Sequence, residues 1–342
     1  MGDTVSIEDF FKKRHHCPII DVRSPSEYNK AHIPGAINIP LFTDDERALV
    51  GTKYIQESRY NAVIAGLDAV GPKLSSFVNT IQKITASKEI LVYCWRGGMR
   101  SKSMTWLFNL AGYKAKALEG GYKSYRRKAQ ECFESPFRLI VMGGMTGSGK
   151  TELLLHLKSK GEQVVDLEGL ANHKGSAFGW IGQEKQPSTE FFENLLFEEL
   201  LKLNPQKLTW VEDESKSIGT IFIPQYFYQQ MIVAKTISIN VPFDVRLKRL
   251  VVDYTNCNPN DLIQSVNRIT KRLGFDKAKK CIDLINQQKF EEAVAISLAY
   301  YDKTYRYGLE NKVNKPITID ITEDLDKNIE NLLTQKVLFE NV

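Results

Sequence analysis

Short apolar runs bounded by turn residues alternate along this chain with longer stretches of helical spacing. CPIIDVR (17–23), GAINIP (35–40), EILVYC (89–94) and AKALEGG (115–121) have the length and residue types of buried strands. Between the second and third, residues 46–86 carry mainly helical spacing, interrupted at Gly71-Pro72. The alternation restarts after Glu134-Ser135-Pro136. Strands are then predicted at 138–144, 162–169, 207–215, 235–242 and 315–321, with helices from Thr189 to Leu203 and from Pro242 to Tyr254. Residues 259–308 are almost wholly helical and predict a lid or subdomain. Strands alternating with helices predict mostly parallel sheets covered on both faces. The expected fold is α/β in two domains, 1–135 and 136–342.

Composition agrees with that division. A chain of 342 residues exceeds the usual single domain, and 42% hydrophobic with 25% charged residues is ample for two cores. No apolar run reaches the roughly 18 residues of a spanning helix. The start, MGDTVSIEDFFKKRHH, lacks the apolar core of a signal peptide, and its acidic residues argue against a transit peptide. A cytoplasmic protein with no membrane partner is expected. Five cysteines (17, 94, 132, 257, 281) form no C-x-x-C pair, so neither a zinc knuckle nor a disulfide framework is predicted. The net charge is +5, and the excess lies early. Residues 1–135 hold 20 Lys and Arg against 14 Asp and Glu, as expected where that half meets an anionic partner.

Gly144-Met-Thr-Gly147-Ser148-Gly149-Lys150-Thr151 fits G-x-x-x-x-G-K-[ST] in full, after a predicted strand and before a predicted helix. The glycines let backbone N–H groups converge on phosphate oxygens, the helix N-terminus adds its positive end, and Lys150 supplies a mobile charge. Thr151 is a candidate Mg²⁺ ligand, with Asp213 in Glu212-Asp213-Glu214 as the partner carboxylate. Arg246 and Arg249, three apart on the predicted helix after 235–242, are candidate phosphate clamps. The loop recognises a diphosphate or triphosphate and does not specify a base.

The second loop, Cys94-Trp95-Arg96-Gly-Gly-Met-Arg100-Ser101, also lies between a predicted strand and a predicted helix. Backbone donors, a helix N-terminus and two arginines favour a thiolate nucleophile at Cys94. With Asp21-Val-Arg23, Glu27-Tyr28, His32-Ile-Pro-Gly-Ala36 and Leu118-Glu-Gly-Gly121, this half resembles the rhodanese family. That resemblance implies a loop cysteine carrying a persulfide or selenylsulfide. The loop departs from the sulfur-transferring pattern by one extra residue. Cys94 to Arg100 is C-x5-R, the spacing of cysteine phosphatases, and a wider loop suits phosphate or selenophosphate.

Over nearly its whole length the chain resembles the tRNA 2-selenouridine synthase family. Asp44-Asp-Glu-Arg-Ala48, Val50-Gly51-Thr52, the run Asp166 to Gly179, Gln183, Phe191, Glu193-Asn194 and Glu212 to Ser215 carry the likeness beyond the two loops. The resemblance implies a transferase acting on wobble 2-thiouridine of tRNA. The sulfur is first S-geranylated from geranyl diphosphate, and selenophosphate then replaces the geranylthio group with selenium. No tightly bound cofactor is expected, with Mg²⁺ a candidate ion at the phosphate loop, and a selenophosphate-supplying enzyme is a candidate partner. Candidate tRNA or substrate contacts are Trp95, Arg126, Arg127, His173 and Lys174, with Lys271-Arg272 and Lys279-Lys280 further on. Phe178, Trp180, Phe191, Phe192 and Tyr226 to Tyr228 are candidates for an apolar groove, against the alternative of ordinary core. Three rivals stay open: an ATP-dependent kinase-like enzyme with an accessory sulfurtransferase domain, a C-x5-R phosphatase, and a non-catalytic RNA- or phosphate-binding regulator.

Overall fold

The computed structural model describes residues 3–255, 257–310 and 312–340, and the chain divides into two units, Met1–Cys132 and Phe133–Val342. The first contains five strands: β1 (Thr4–Val5), β2 (Ile19–Asp21), β3 (Ile37–Asn38), β4 (Glu89–Tyr93) and β5 (Lys114–Leu118). They pair in parallel in the order β1-β5-β4-β2-β3. In β4, Ile90 to Tyr93 are all buried, as a central strand covered on both faces requires. Ile20, Val22, Ile90 and Val92 pack on Phe77, Ile81, Met104 and Phe108, each such side chain contributing about 1.5–3 kcal/mol by burial. The strand β1 was not expected: two residues are too few to show any periodicity, and pairing with Ala117 and Leu118 defines them.

The long segment before β4 forms three helices, Asp44–Gln56, Arg59–Val70 and Leu74–Ile84, with a 3₁₀ turn at Gly71–Lys73 where the Gly-Pro pair interrupts the spacing. Thr43 and Glu46 close a capping box at the start of the first. That helix carries Leu49, Val50, Tyr54 and Ile55 but buries none of its side chains.

The second unit is built on β6 (Leu139–Gly144), β7 (Gln163–Val165), β8 (Thr209–Glu212), β11 (Lys235–Asn240) and β12 (Ile317–Asp320), parallel in the order β12-β11-β6-β8-β7. Between β8 and β11 lies a short antiparallel hairpin, β9 (Ser217–Ile218) and β10 (Ile221–Phe222), absent from the expectation. Ile140, Met142, Trp210, Ile237 and Ile239 form the core with Leu153, Leu154 and Leu157 of the helix Lys150–Ser159. The helical stretch resolves into Pro259–Leu273, Phe275–Asn286 and Phe290–Glu310, which enclose a separate core around Leu262, Val266, Cys281 and Leu284. Central β6 therefore delivers its C-terminal loop beside the end of β8, where open α/β sheets place ligands.

Candidate functional site

Cys94 leaves β4 as the chain turns toward the helix Met99–Leu110. Its carbonyl accepts from Tyr122 N at 2.8 Å, and the Trp95 carbonyl accepts from Lys123 N at 3.0 Å. The turn after β5 thus holds the cysteine loop through the first residues of the helix Gly121–Glu134. Gly121 has φ +59°, and a Cβ there would collide with the Cys94 carbonyl and with Gly97 N. Only glycine fits, which explains the Leu118-Glu-Gly-Gly121 motif physically. Asp21 and Arg23 form a buried pair at 2.6 Å under this region, with Arg23 over the Tyr122 ring at 4.2 Å. They are scaffold.

Cys94 is 3% exposed, and its thiol lies 3.2 Å from Ser101 Oγ. It lines a cleft of about 790 Å³ together with Trp95, Arg96, Arg100 and Val50. Trp95 is 38% exposed and tilted against Tyr122 at 5.5 Å. Arg96 is exposed and makes no ion pair among the described residues. Arg100 requires a correction. Its guanidinium is anchored on Glu27 at 2.6 Å rather than free to ring an anion, although it still lines the cleft. Burial is the largest single influence and opposes the Glu27 charge, but the hydrogen bond and charge of Arg100, with Ser24 N and Arg47, together outweigh it and hold that carboxyl below its usual range. The basic triplet is partly neutralised within its own unit. Arg127 lies 3.8 Å from Glu131, Lys128 pairs with Glu131 and Glu8, and Arg126 is half-buried.

In the second unit Gly149, in the left-handed region, caps the helix Lys150–Ser159 without a side chain in the way. Lys150 Nζ donates to the Gly144 carbonyl at 2.9 Å, folded back over its own loop. Ser148 is 1% exposed and its Oγ has no partner among the described residues, so a buried hydroxyl is left for a ligand of this loop. Arg249 is exposed, reaches over Gly149 and has no ion pair among the described residues, a placement that suits a phosphate clamp. Arg246 does not match the expected role. It is 3% exposed, bound at both terminal nitrogens to Asp302, and donates to the carbonyls of Val241 and Thr146. It braces the loop from behind.

The carboxylate beside Thr151 is also not the expected one. Asp213 is held by Lys312 and by Tyr305 Oη, whereas Thr151 Oγ1 meets Glu168 Oε2 at 3.2 Å. Glu168 and Glu214 face each other: a Cβ at Gly175 would come within 2.7 Å of an oxygen from each. Burial first, and the Glu168 charge second, push the Glu214 carboxyl up to about 8, so it keeps its proton at neutral pH. Glu212 is fully buried, accepts from Leu167 N at 2.8 Å and is likewise held well above the usual range by burial. Thr151, Glu168 and Glu214 form an oxygen-only donor set that fits a hard divalent cation. Among the described residues no group of three or more His, Cys, Asp or Glu side chains could hold a metal unaided.

His173 also departs from expectation. It is 5% exposed, and burial, aided by Arg268, lowers its pKa, so it sits inside the unit as a neutral ring. Lys174 is exposed, as are Lys271, Arg272, Lys279 and Lys280. Phe178, Phe192 and Phe227 are core, and Trp180 packs against the helical core with its Nε1 donating to Ser265. Phe191 and Tyr228 are half-buried and Tyr226 is exposed. Glu168 was not expected as a site residue, its one signal being its place in the 166–179 run; Glu214 belongs to the acidic triplet expected to orient a metal, in which Asp213 was the residue singled out. No helix among the described residues is long and apolar enough to cross a membrane.

Residues 7–128 match the rhodanese-like domain, and residues 137–336 match the tRNA 2-selenouridine synthase AAA domain. A tRNA 2-selenouridine synthase of Shewanella frigidimarina is 35% identical over 88% of this chain and 90% of its own length. One from Pseudomonas syringae pv. syringae is 34% identical over 86% and 89%. Among solved structures, the N-terminal domain of a putative ATP/GTP binding protein from Clostridium difficile 630 is 38% identical, covering 36% of this chain and 97% of that one, with a TM-score of 0.34. With a rhodanese-like unit, a P-loop unit and relatives of this similarity across most of its length, the chain belongs to the tRNA 2-selenouridine synthase family.

Proposed function

We propose that the protein converts wobble 2-thiouridine in cytoplasmic tRNA to 2-selenouridine in two steps. In the first, the geranyl group of geranyl diphosphate passes to the thiocarbonyl sulfur. The carbon–oxygen bond to diphosphate breaks, a carbon–sulfur bond forms, the N3 proton of the base is released to solvent, and diphosphate departs into the loop Gly144–Thr151. Lys150, Arg249 and the loop N–H groups stabilise that charge. Mg²⁺, when bound by Thr151, Glu168 and Glu214, supplies further neutralisation of the diphosphate.

In the second step the selenium of selenophosphate bonds to carbon-2, the carbon–sulfur bond breaks, the geranylthio group takes a proton and leaves as a thiol, and water cleaves the phosphorus–selenium bond to release phosphate. Alkylation is what makes this feasible, because a neutral thiol leaves more readily than sulfide. Cys94 and Arg96, on the cleft of the first unit, receive the selenium donor, selenophosphate. One observation carries the reading: a chain that matches the synthase family along most of its length keeps both anion-binding loops, Cys94–Arg100 and Gly144–Thr151.

The test is mass spectrometry of tRNA nucleosides from cells expressing each variant. Cys94→Ser abolishes 2-selenouridine while geranylated nucleoside persists, and Lys150→Ala suppresses the geranylated nucleoside. Unchanged products in both variants defeat the proposal. Lys150-dependent nucleotide hydrolysis without geranyl transfer supports a kinase-like enzyme instead.

A further inference from the structure

We infer that the cleft over Cys94 is the seat of the geranyl chain during selenium exchange, with Val50, Tyr54 and Ile55 as its apolar wall. The inference rests on the two-step reading and adds a location to it. The observation behind it is the helix Asp44–Gln56, 13 residues long, which buries none of its side chains. Tyr54 is 61% exposed and Ile55 is 84% exposed, and across the cleft Met99 is 54% exposed. Apolar surface concentrated in one concavity marks a binding site rather than scattered surface residues. At about 790 Å³ the cleft lies within the roughly 300–1,000 Å³ range of small-molecule sites.

The same cleft contains the Cys94 thiol and the guanidinium groups of Arg96 and Arg100. Arginines and a thiol suit a selenium-bearing anion and an RNA phosphate, but neither has any use for an apolar wall. Reaction geometry supplies the missing occupant. Carbon-2 of the base must come to the selenium donor at Cys94, and the geranylthio sulfur is bonded directly to that carbon. The ten-carbon chain therefore starts two bonds from the reacting centre and must lie against whatever surrounds the thiol. In the second unit, by contrast, Phe178, Phe192 and Phe227, candidates for such a groove, are already consumed by the core.

The experiment uses the full-length protein, selenophosphate, and two RNA oligonucleotides carrying either S-geranyl- or S-methyl-2-thiouridine, with selenouridine quantified by mass spectrometry. Wild type prefers the geranyl substrate in kcat/KM by at least about tenfold, since each buried methylene adds to binding. Tyr54→Glu and Ile55→Glu, both at exposed positions lining the cleft, shrink that preference by about tenfold, and Ile55→Leu keeps it. The exposed Ile55 position tolerates charge without disturbing the core. A preference untouched by both glutamates places the chain elsewhere and overturns the inference while the two-step reading stands. If the glutamates change only self-association in analytical ultracentrifugation, the wall is a contact between copies and the inference also falls. Should wild type convert neither thioether, the reading and the inference fail together.

Discussion

Arg246 and Asp302 form a buried two-point ion pair, Nη1 to Oδ1 at 2.8 Å and Nη2 to Oδ2 at 2.7 Å, linking the helix Phe243–Thr255 to the helix Phe290–Glu310. The same guanidinium donates to the Thr146 carbonyl at 3.2 Å, so the phosphate loop is braced by a charge neutralised elsewhere. Removing one member of such a pair leaves the other buried and unpaired. Asp302→Ala is therefore expected to lower unfolding stability by about 3–5 kcal/mol, measured by urea denaturation of the full chain. An Arg249→Ala variant, whose side chain is exposed and without an ion pair among the described residues, should unfold like wild type within about 0.5 kcal/mol. Its deficit should instead appear as weakened diphosphate binding.

Gly121 offers a separate handle on the cysteine loop. At φ +59°, with the Cys94 carbonyl in the space a Cβ would fill, alanine must both strain the backbone and displace the loop. Gly121→Ala is expected to cost at least about 1–2 kcal/mol and to abolish selenium incorporation. Geranylated nucleoside should persist, because the phosphate loop belongs to the other unit. Nucleoside mass spectrometry combined with thermal unfolding separates this outcome from general unfolding, which removes both products.

The two loops and the parallel sheets were legible in the sequence because their signals are local. Glycine spacing, an apolar run before it and a helix after it suffice to place Gly144–Thr151 and Cys94–Ser101 at strand ends. What was illegible depends on which partner each charge meets in three dimensions. Arg246 and Arg249 look alike in VPFDVRLKRL, yet one is buried on Asp302, fifty-six positions away, and the other reaches over Gly149. Asp213 and Glu214 are neighbours, but Lys312 claims the first and the second turns to Glu168. The apolar face of Asp44–Gln56 was hidden for a related reason. Its sequence shows apolar residues, and only the fold shows that Val50 turns to the core while Leu49, Tyr54 and Ile55 stay exposed.

The facing of Glu168 and Glu214 makes stability depend on pH in a direction opposite to ordinary paired carboxylates. Burial and the neighbouring charge raise the Glu214 carboxyl from 4.5 to about 8 in the folded protein. Between those values the folded state holds a proton that the unfolded state has released, so folding binds protons and stability falls as pH rises. The full contribution is present below about pH 4.5 and is lost progressively up to about pH 8. Part of the side chain reaches solvent, so the loss is on the order of 2 kcal/mol rather than the whole shift. Glu214→Gln, which keeps the shape and removes the titration, should flatten this slope and become more stable relative to wild type as pH approaches 8. Urea titrations of both proteins at pH 5, 6, 7 and 8 measure the difference; parallel slopes would mean that Glu214 does not carry the extra proton. Mg²⁺ should counteract the loss in wild type, since a cation held by Glu168 and Glu214 would replace the proton that Glu214 keeps.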